Sequence, residues 1–489
     1  MRKNLGLNML VIILTFILSG CYSIDTINYE YKEDTLVYSV EKIPESLISK
    51  TNTTDRENDI ICALFEGLVE LNKSGDPIPA ICQGWKVSDN GLEYTFKLRE
   101  DARWSSGEVI TSFDFIDYFK YLFSPDNTQY NLEELYAIDG ILEYKNGQCS
   151  FEEVEIEAVD NRTIVINLNS EDEDFIKKLA KPVYRLRDVS EPLSDYKNQY
   201  SNIRYTGAYT VKEISNSEIL LEKNSYYVDG VNGIDKIKIK EQESVEADFA
   251  SYNLGDIDIL SQPPILSLKE GTVYSKVDIA PSNILKTLIF NNENNIISDS
   301  RFRNGLFNAL YLEILDSYII DNNIGTWCVN EIKYNNLLQK NLNLNEYYDE
   351  SKKIQLKEDA KELLGKLDTR KKIVSIIAKN TSENRLVCEF ISEILKESYN
   401  ISSKITLLDK EELNVYLEKK NFDIYIDDLN LESFNMDNNY GLVNLEESIN
   451  EEYSIVSLYY KNFMWCKSDN IDYLYIDGNG NLILKYTKG

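Results

Sequence analysis

"LFEGLVELNKSGDPIPAICQGWKVSDNGLEYTFKLREDARWSSGEVITSFDFIDYFKYLFSPDN", residues 64–127, holds two readable elements and the turn between them. In "EYTFKLRE" (93–100), Tyr94, Phe96 and Leu98 alternate with Thr95, Lys97 and Arg99, the period of a strand with one buried face. Trp104 then precedes a Ser-Ser-Gly turn, and Thr111 followed by Asp114 predicts the start of a helix. In such a pair the hydroxyl satisfies a free N–H of the first turn, and the carboxylate favours the helix dipole. Phe115, Phe119 and Leu122 follow down one side of that helix.

Outward from this stretch, "TIVINLN" (163–169) and "IDKIKIKE" (234–241) repeat the strand alternation. "SENRLVCEFISEILKES" (382–398) sets Val387, Phe390, Ile391, Ile394 and Leu395 on one helical stripe. Residues 371–428 read strand, helix, strand, helix, strand, an alternation that predicts parallel strands. The earlier half mixes strands with shorter helices. The fold class is therefore α/β with α+β parts. A chain of 489 residues exceeds one core, because cores stop growing at about 250–300 residues.

Lys and Arg total 52 against 82 Asp and Glu, a formal charge of −30 spread along the chain. That balance argues against nucleic acid, whose binders neutralise phosphates with basic side chains. It disfavours an anionic membrane surface as well. The chain has no His, so Ser-His-Asp and Cys-His mechanisms and His-based metal sites cannot be built. Neither a Walker A loop, a Rossmann glycine fingerprint, a nucleophile elbow nor a zincin helix is present. Carboxylate pairs for glycoside hydrolysis stay open, since only geometry could select one pair from so many acids. No catalytic residue, cofactor or metal is assigned.

At the N-terminus, Arg2 and Lys3 precede an apolar run from Leu5 to Leu18, then "ILSGC" (17–21). The run is shorter than the about 20 residues that span a membrane and suits a signal peptide. Small residues before Cys21 resemble the lipobox of bacterial lipoproteins, which implies lipidation at Cys21 and a membrane anchor on the extracytoplasmic face. The remaining cysteines, 62, 82, 149, 328, 388 and 466, are scattered without a CxxC pair and are expected to be unpaired small hydrophobes.

The passage 64–127 closely resembles the signature region of the extracellular solute-binding protein family 5, the oligopeptide- and dipeptide-binding lipoproteins of ABC importers. The likeness runs through Leu64 to Leu68, Pro79, Ala80, Trp85, Ser88 to Leu92, Tyr94 to Phe96, Leu98, Arg99, Trp104, Ser105, Gly107, Thr111, Asp114, Phe115 and Pro125. "YTGAYTVKEI" (205–214), "YNLGDIDIL" (252–260) and "IVSLYYKN" (455–462) are similar to later family landmarks. The likeness covers residues 34–489, strongest before 260.

The resemblance implies a two-lobed periplasmic-binding fold of type II in its three-domain variant. Its implied segments are a signal peptide (1–20), a tether (21–33), a discontinuous domain I (34–55, 200–283 and 467–489), a small insert (56–199) and a second lobe (284–466). Trp104 and Phe115 then belong to the core of the insert. "IAPSNIL" (279–285) is expected to cross between lobes, because Pro281 fixes φ locally. The implied ligand is a peptide held by main-chain hydrogen bonds. Implied ligand-binding residues are Thr53, Thr54, Asp55, Arg56 and Tyr130, with Asp427 or Asp428 taking the peptide ammonium. The implied partners are ABC permease subunits and the membrane, with the protein a monomer.

One departure stands out. After "FDIYIDD" the family has an aromatic passage W-x-x-D-Y-x-D/E-P, whereas this chain reads "LNLESFNMDNNY" and is several dozen residues shorter. Two further functions remain open: a signalling or regulatory binding lipoprotein of the same fold, and a surface-anchored hydrolase.

Overall fold

The computed structural model describes residues 35–48, 55–128, 130, 132–215, 217–227, 234–264, 277–291, 297–314, 325–327, 350–365, 373–430 and 455–488, and the statements below concern these residues. Strand β1 (Thr35–Val40) precedes the helix Asp55–Leu64 and a small antiparallel hairpin, β2 (Val69–Leu71) and β3 (Pro77–Pro79). The four strands β4 (Cys82–Val87), β5 (Glu93–Leu98), β6 (Ile156–Asp160) and β7 (Thr163–Asn167) then form an antiparallel sheet in the order β4-β5-β7-β6.

The signature stretch builds the core over this sheet. Tyr94, Phe96 and Leu98 are its buried face, as the alternation requires. The helix Ser112–Leu122 starts after Thr111, where Asp114 accepts from the Thr111 N–H at 2.6 Å and from its hydroxyl at 2.8 Å. Phe115, Phe119 and Leu122 bury their side of that helix beside Trp104, Ile164 and Leu186. Gly107 sits at φ 90°, and a Cβ there would lie 2.9 Å from the ring of Tyr226, so the Ser-Ser-Gly turn needs its glycine twice over.

The second sheet carries the rest of the chain: β8 (Tyr209–Ile214), β9 (Glu218–Lys223), β10 (Lys236–Glu241), β11 (Ile259–Ser261), β12 (Val277–Phe290), β13 (Gly325–Trp327), β14 (Ile373–Lys379), β15 (Ser402–Leu408), β16 (Ile424–Asn430) and β17 (Ile455–Lys467). Their order with β1 is β15-β14-β16-β12-β17-β11-β1-β10-β9-β8, and β13 pairs with β17. The alternation read over 371–428 is observed: β14 pairs in parallel with both β15 and β16. The intervening helix Ser382–Tyr399 is capped by Thr381, whose hydroxyl accepts from the Asn384 N–H, and it buries Val387, Ile391, Ile394 and Leu395. Gly207 of the Gly-Ala-Tyr landmark lies where a Cβ would meet the backbone of Ala63 to Phe65 at 2.5–2.6 Å, which only glycine permits.

Two long antiparallel strands, β12 and β17, run through both halves of this sheet. Their register is regular from Val277↔Cys466 to Pro281↔Asn462, shifts before Leu285↔Tyr460, and shifts again between Lys286 and Thr287. The first irregularity falls within the 279–285 stretch that holds Pro281. On one side of it β17 pairs with β11, on the other β12 pairs with β16. One apolar cluster lies around Tyr38, Phe65, Tyr209 and Trp465, and another runs from Leu260 and Met464 through Leu288 to Val387 and Ile391. Cys62, Cys82, Cys388 and Cys466 are buried free thiols and Cys149 is a half-buried one; Cys328 lies outside the described residues.

Candidate functional site

The pairing directions bring several strand ends to one junction. From its N-terminal part, β12 runs toward the register shift, and β11, antiparallel to β17, points the same way, as does β1 in parallel with β11. Beyond the shift β12 runs away from it, so the antiparallel β16 returns toward it: Asn430 stands opposite Ile284, and Ile424 opposite Phe290. Strands β14 and β15 follow β16. The carboxyl ends of β1, β11, β14, β15 and β16 therefore converge on one junction, the place where open α/β sheets bind ligands.

Among the described residues at that junction, several polar side chains are engaged. Glu41, just after β1, receives the Lys379 ammonium at the end of β14 at 3.1 Å, joining the two halves directly. Gln262, just after β11, has φ 54° although it precedes Pro263, a left-handed conformation that costs about 1–3 kcal/mol and gathers at functional sites. Its N–H donates to the Met464 carbonyl at 3.1 Å, which holds the strained turn against β17.

Beside them lies a cluster of charge. Lys286 on β12 is the register partner of Asp428 on β16, and its fully buried ammonium contacts Asp428 Oδ1 and donates to Asn384 Oδ1 at 2.6 Å. Lys461 on β17 reaches Asp428 Oδ2 at 2.7 Å and Glu383 Oε2 at 2.9 Å. The Tyr459 hydroxyl donates to Glu383 Oε1 at 2.7 Å. Burial alone would raise the Asp428 carboxyl, but the ammonium groups of Lys286 and Lys461 outweigh it and hold it well below the usual carboxylate range. Burial opposes the charge of Lys461 likewise, and the carboxylates of Asp428 and Glu383 keep its ammonium above the usual lysine range.

The structure distributes the anticipated site residues rather than gathering them. Cys21, Thr53 and Thr54 lie outside the described residues, and Asp55 is described only as the first residue of its helix. Arg56 is 2% exposed; its guanidinium donates to Asp59 at 3.0 Å and to the Gly480 carbonyl at 2.9 Å, stacked over Phe463 and Trp465. Tyr130 is packed with Tyr118, Phe123 and Leu132 over the four-stranded sheet. Asp427 and Asp428 stand at the junction, Asp427 accepting from the Tyr425 hydroxyl at 2.7 Å. Glu41, Lys286, Lys379, Glu383 and Lys461 were not anticipated. A lone Lys inside the apolar run "NILKTLIF" (283–290) was the available signal, because Lys is almost never buried unless paired.

Comparisons with known proteins bear on what this arrangement serves. Residues 76–450 match the family described as bacterial extracellular solute-binding proteins, family 5 Middle. The oligopeptide-binding protein OppA of Bacillus subtilis is 28% identical over 282 residues, 54% of this chain and 50% of that protein. The oligopeptide-binding protein AliB of Streptococcus pneumoniae is 31% identical over 270 residues, 51% of this chain and 40% of that protein. The chain thus spans about half the length, or less, of the curated relatives it matches. Among solved structures, a periplasmic oligopeptide-binding protein of Borrelia burgdorferi superposes with a TM-score of 0.70 at 18% identity, covering 89% of this chain and 96% of that one. The murein tripeptide binding protein MppA of Escherichia coli gives 0.68 at 18% identity, covering 93% and 97%. These likenesses show the two-lobed α/β fold.

Proposed function

Because the chain belongs to the bacterial extracellular solute-binding proteins of family 5, we propose that it captures peptides in the cleft between its lobes and delivers them to an ABC permease. The observation that carries this reading is the convergence of the carboxyl ends of β1, β11, β14, β15 and β16 on one junction, bridged by Glu41 and Lys379. The names of the relatives support the ligand class: oligopeptide-binding for OppA, AliB and the Borrelia protein, and murein tripeptide binding for MppA. An extended peptide offers a row of N–H and C=O groups, and strand ends with their loops meet such a row with main-chain hydrogen bonds. Closure about the irregular stretch of β12 and β17 would bury the ligand.

In this account 34–55, 200–283 and 467–489 form domain I, 56–199 the insert and 284–466 the second lobe. The protein works as a lipid-anchored monomer on the outer side of the cell membrane, held through Cys21 and a tether over 21–33. It binds rather than catalyses. Loss of acyl labelling in Cys21→Ala tests the anchor. The ligand is tested by denaturing protein purified from its own host and identifying what is released by mass spectrometry. Peptides in stoichiometric amount are expected; a sugar or other non-peptide solute in that amount would contradict the reading.

A further inference from the structure

We infer that Lys286 and Lys461 fill from within the ammonium site that Asp428 offers, so that the cleft takes peptides with a blocked amino terminus as readily as free ones. This rests on the peptide reading above. A carboxylate where strand ends meet is a natural acceptor for a ligand ammonium, through a charge-assisted hydrogen bond. Here Oδ1 is engaged by Lys286 and Oδ2 by Lys461 at 2.7 Å. The neighbouring carboxylate, Glu383, takes Lys461 at 2.9 Å and the Tyr459 hydroxyl at 2.7 Å. Two cations thus face two anions, and the group is neutral before any ligand arrives.

A ligand ammonium brought to Asp428 would have to displace one of the two lysines. Lys286 has no exposed surface and also donates to Asn384 at 2.6 Å, so it has nowhere to go. Lys461 is 17% exposed, and its departure would leave the buried Glu383, 10% exposed, beside the 36% exposed Asp428 without the cation they share. Stranding the buried members of this cluster, Lys286 or Glu383, is unfavourable, whereas adding a third cation to a neutral cluster brings little attraction in return. Asp427 does not take over the role: adjacent strand residues face opposite sides of a sheet, and its carboxylate already accepts from Tyr425.

Two measurements decide this. By titration calorimetry, one peptide in free and N-acetylated form should bind the parent protein with affinities within about threefold, since a charge-assisted bond worth about 1.4 kcal/mol or more would separate them at least tenfold. A tenfold preference for the free form overturns the inference. The second measurement needs no peptide. Lys461→Ala opens an ammonium-sized space against Asp428 and Glu383, so ethylammonium chloride should raise its melting temperature above that in equal sodium chloride and leave the parent's unchanged. A parent that responds as the variant does, or a variant that responds to neither salt differently, overturns it. If Lys461→Ala does not fold, nitrogen-labelled lysine NMR on the parent serves instead. The Lys286 and Lys461 ammonium signals should be protected from exchange and unmoved by ethylammonium; exchange-broadened or shifted signals overturn the inference. If neither peptide form binds, the peptide reading fails, and the ethylammonium response still decides the state of Asp428.

Discussion

Lys379, the last residue of β14, donates to Glu41, the first residue after β1, at 3.1 Å, and so ties one half of the large sheet to the other where their strand ends meet. Both side chains are about half exposed, 52% and 46%. Such a pair contributes up to about 1 kcal/mol and is screened by salt. In the proposed account it would bias the lobes toward closure without locking them.

Glu41→Gln should therefore weaken ligand affinity by no more than about fivefold, the equivalent of about 1 kcal/mol. The loss should vanish at 1 M salt, where the Debye length is about 3 Å. Titration calorimetry at low and high salt checks this. A loss that persists undiminished at high salt would show that Glu41 contacts the ligand itself.

Trp104, 1% exposed, fills the core over the four-stranded sheet with Phe115 and Phe119. Trp104→Ala should cost about 3–5 kcal/mol in urea unfolding. Ligand affinity of the protein that stays folded should be unchanged, because that core is built on different strands from those that converge on the junction. A variant of parental stability that has lost binding would move Trp104 into the site.

Asp59 supplies a pH dependence. It is fully buried, accepts from Tyr38 at 2.6 Å, from Arg56 at 3.0 Å and from the Leu482 N–H at 2.8 Å. Burial dominates and pushes its carboxyl up to about 7, against the pull of Arg56 and Tyr38. An unfolded Asp titrates near about 3.9, so between about pH 4 and 7 the folded state binds more protons than the unfolded one. Stability from this group is present below the lower value and is lost as pH rises through the upper one. Urea unfolding from pH 4 to 8 should show that decline in the parent and a flatter profile in Asp59→Asn. Parallel profiles would mean that Asp59 stays ionised.

Two passages make the fold legible in the sequence. The strand, turn and capped helix of 93–122 rest on local patterns: alternation, Thr111 with Asp114, and an apolar stripe through Phe115 and Phe119. The parallel unit of 371–428 rests on the same kind of pattern, with Thr381 capping its first helix. The cleft was less legible, because its chemistry comes from residues far apart in the chain. Lys286 meets Asn384 across 98 positions, and Glu41 meets Lys379 across 338. A lone Lys in an apolar strand signals a buried charge but does not name its partner. Arg56 and Tyr130, selected by analogy of position, pack into cores whose identity depends on tertiary contacts with Trp465, Gly480 and Tyr118.

The central claim, that the cleft holds peptides, is tested most directly by thermal melting against a mixed peptide library and against sugars, metal ions and other small solutes. Ligand bound to the folded state alone stabilises it by RT ln(1 + [L]/Kd), about 4 kcal/mol at 1,000-fold excess over Kd. The account predicts a clear rise in melting temperature with the peptides, equal for free and N-acetylated libraries, and none with the other solutes. A melt unmoved by either peptide library but raised by a sugar or a metal ion would contradict it, leaving the two-lobed fold without its assigned ligand.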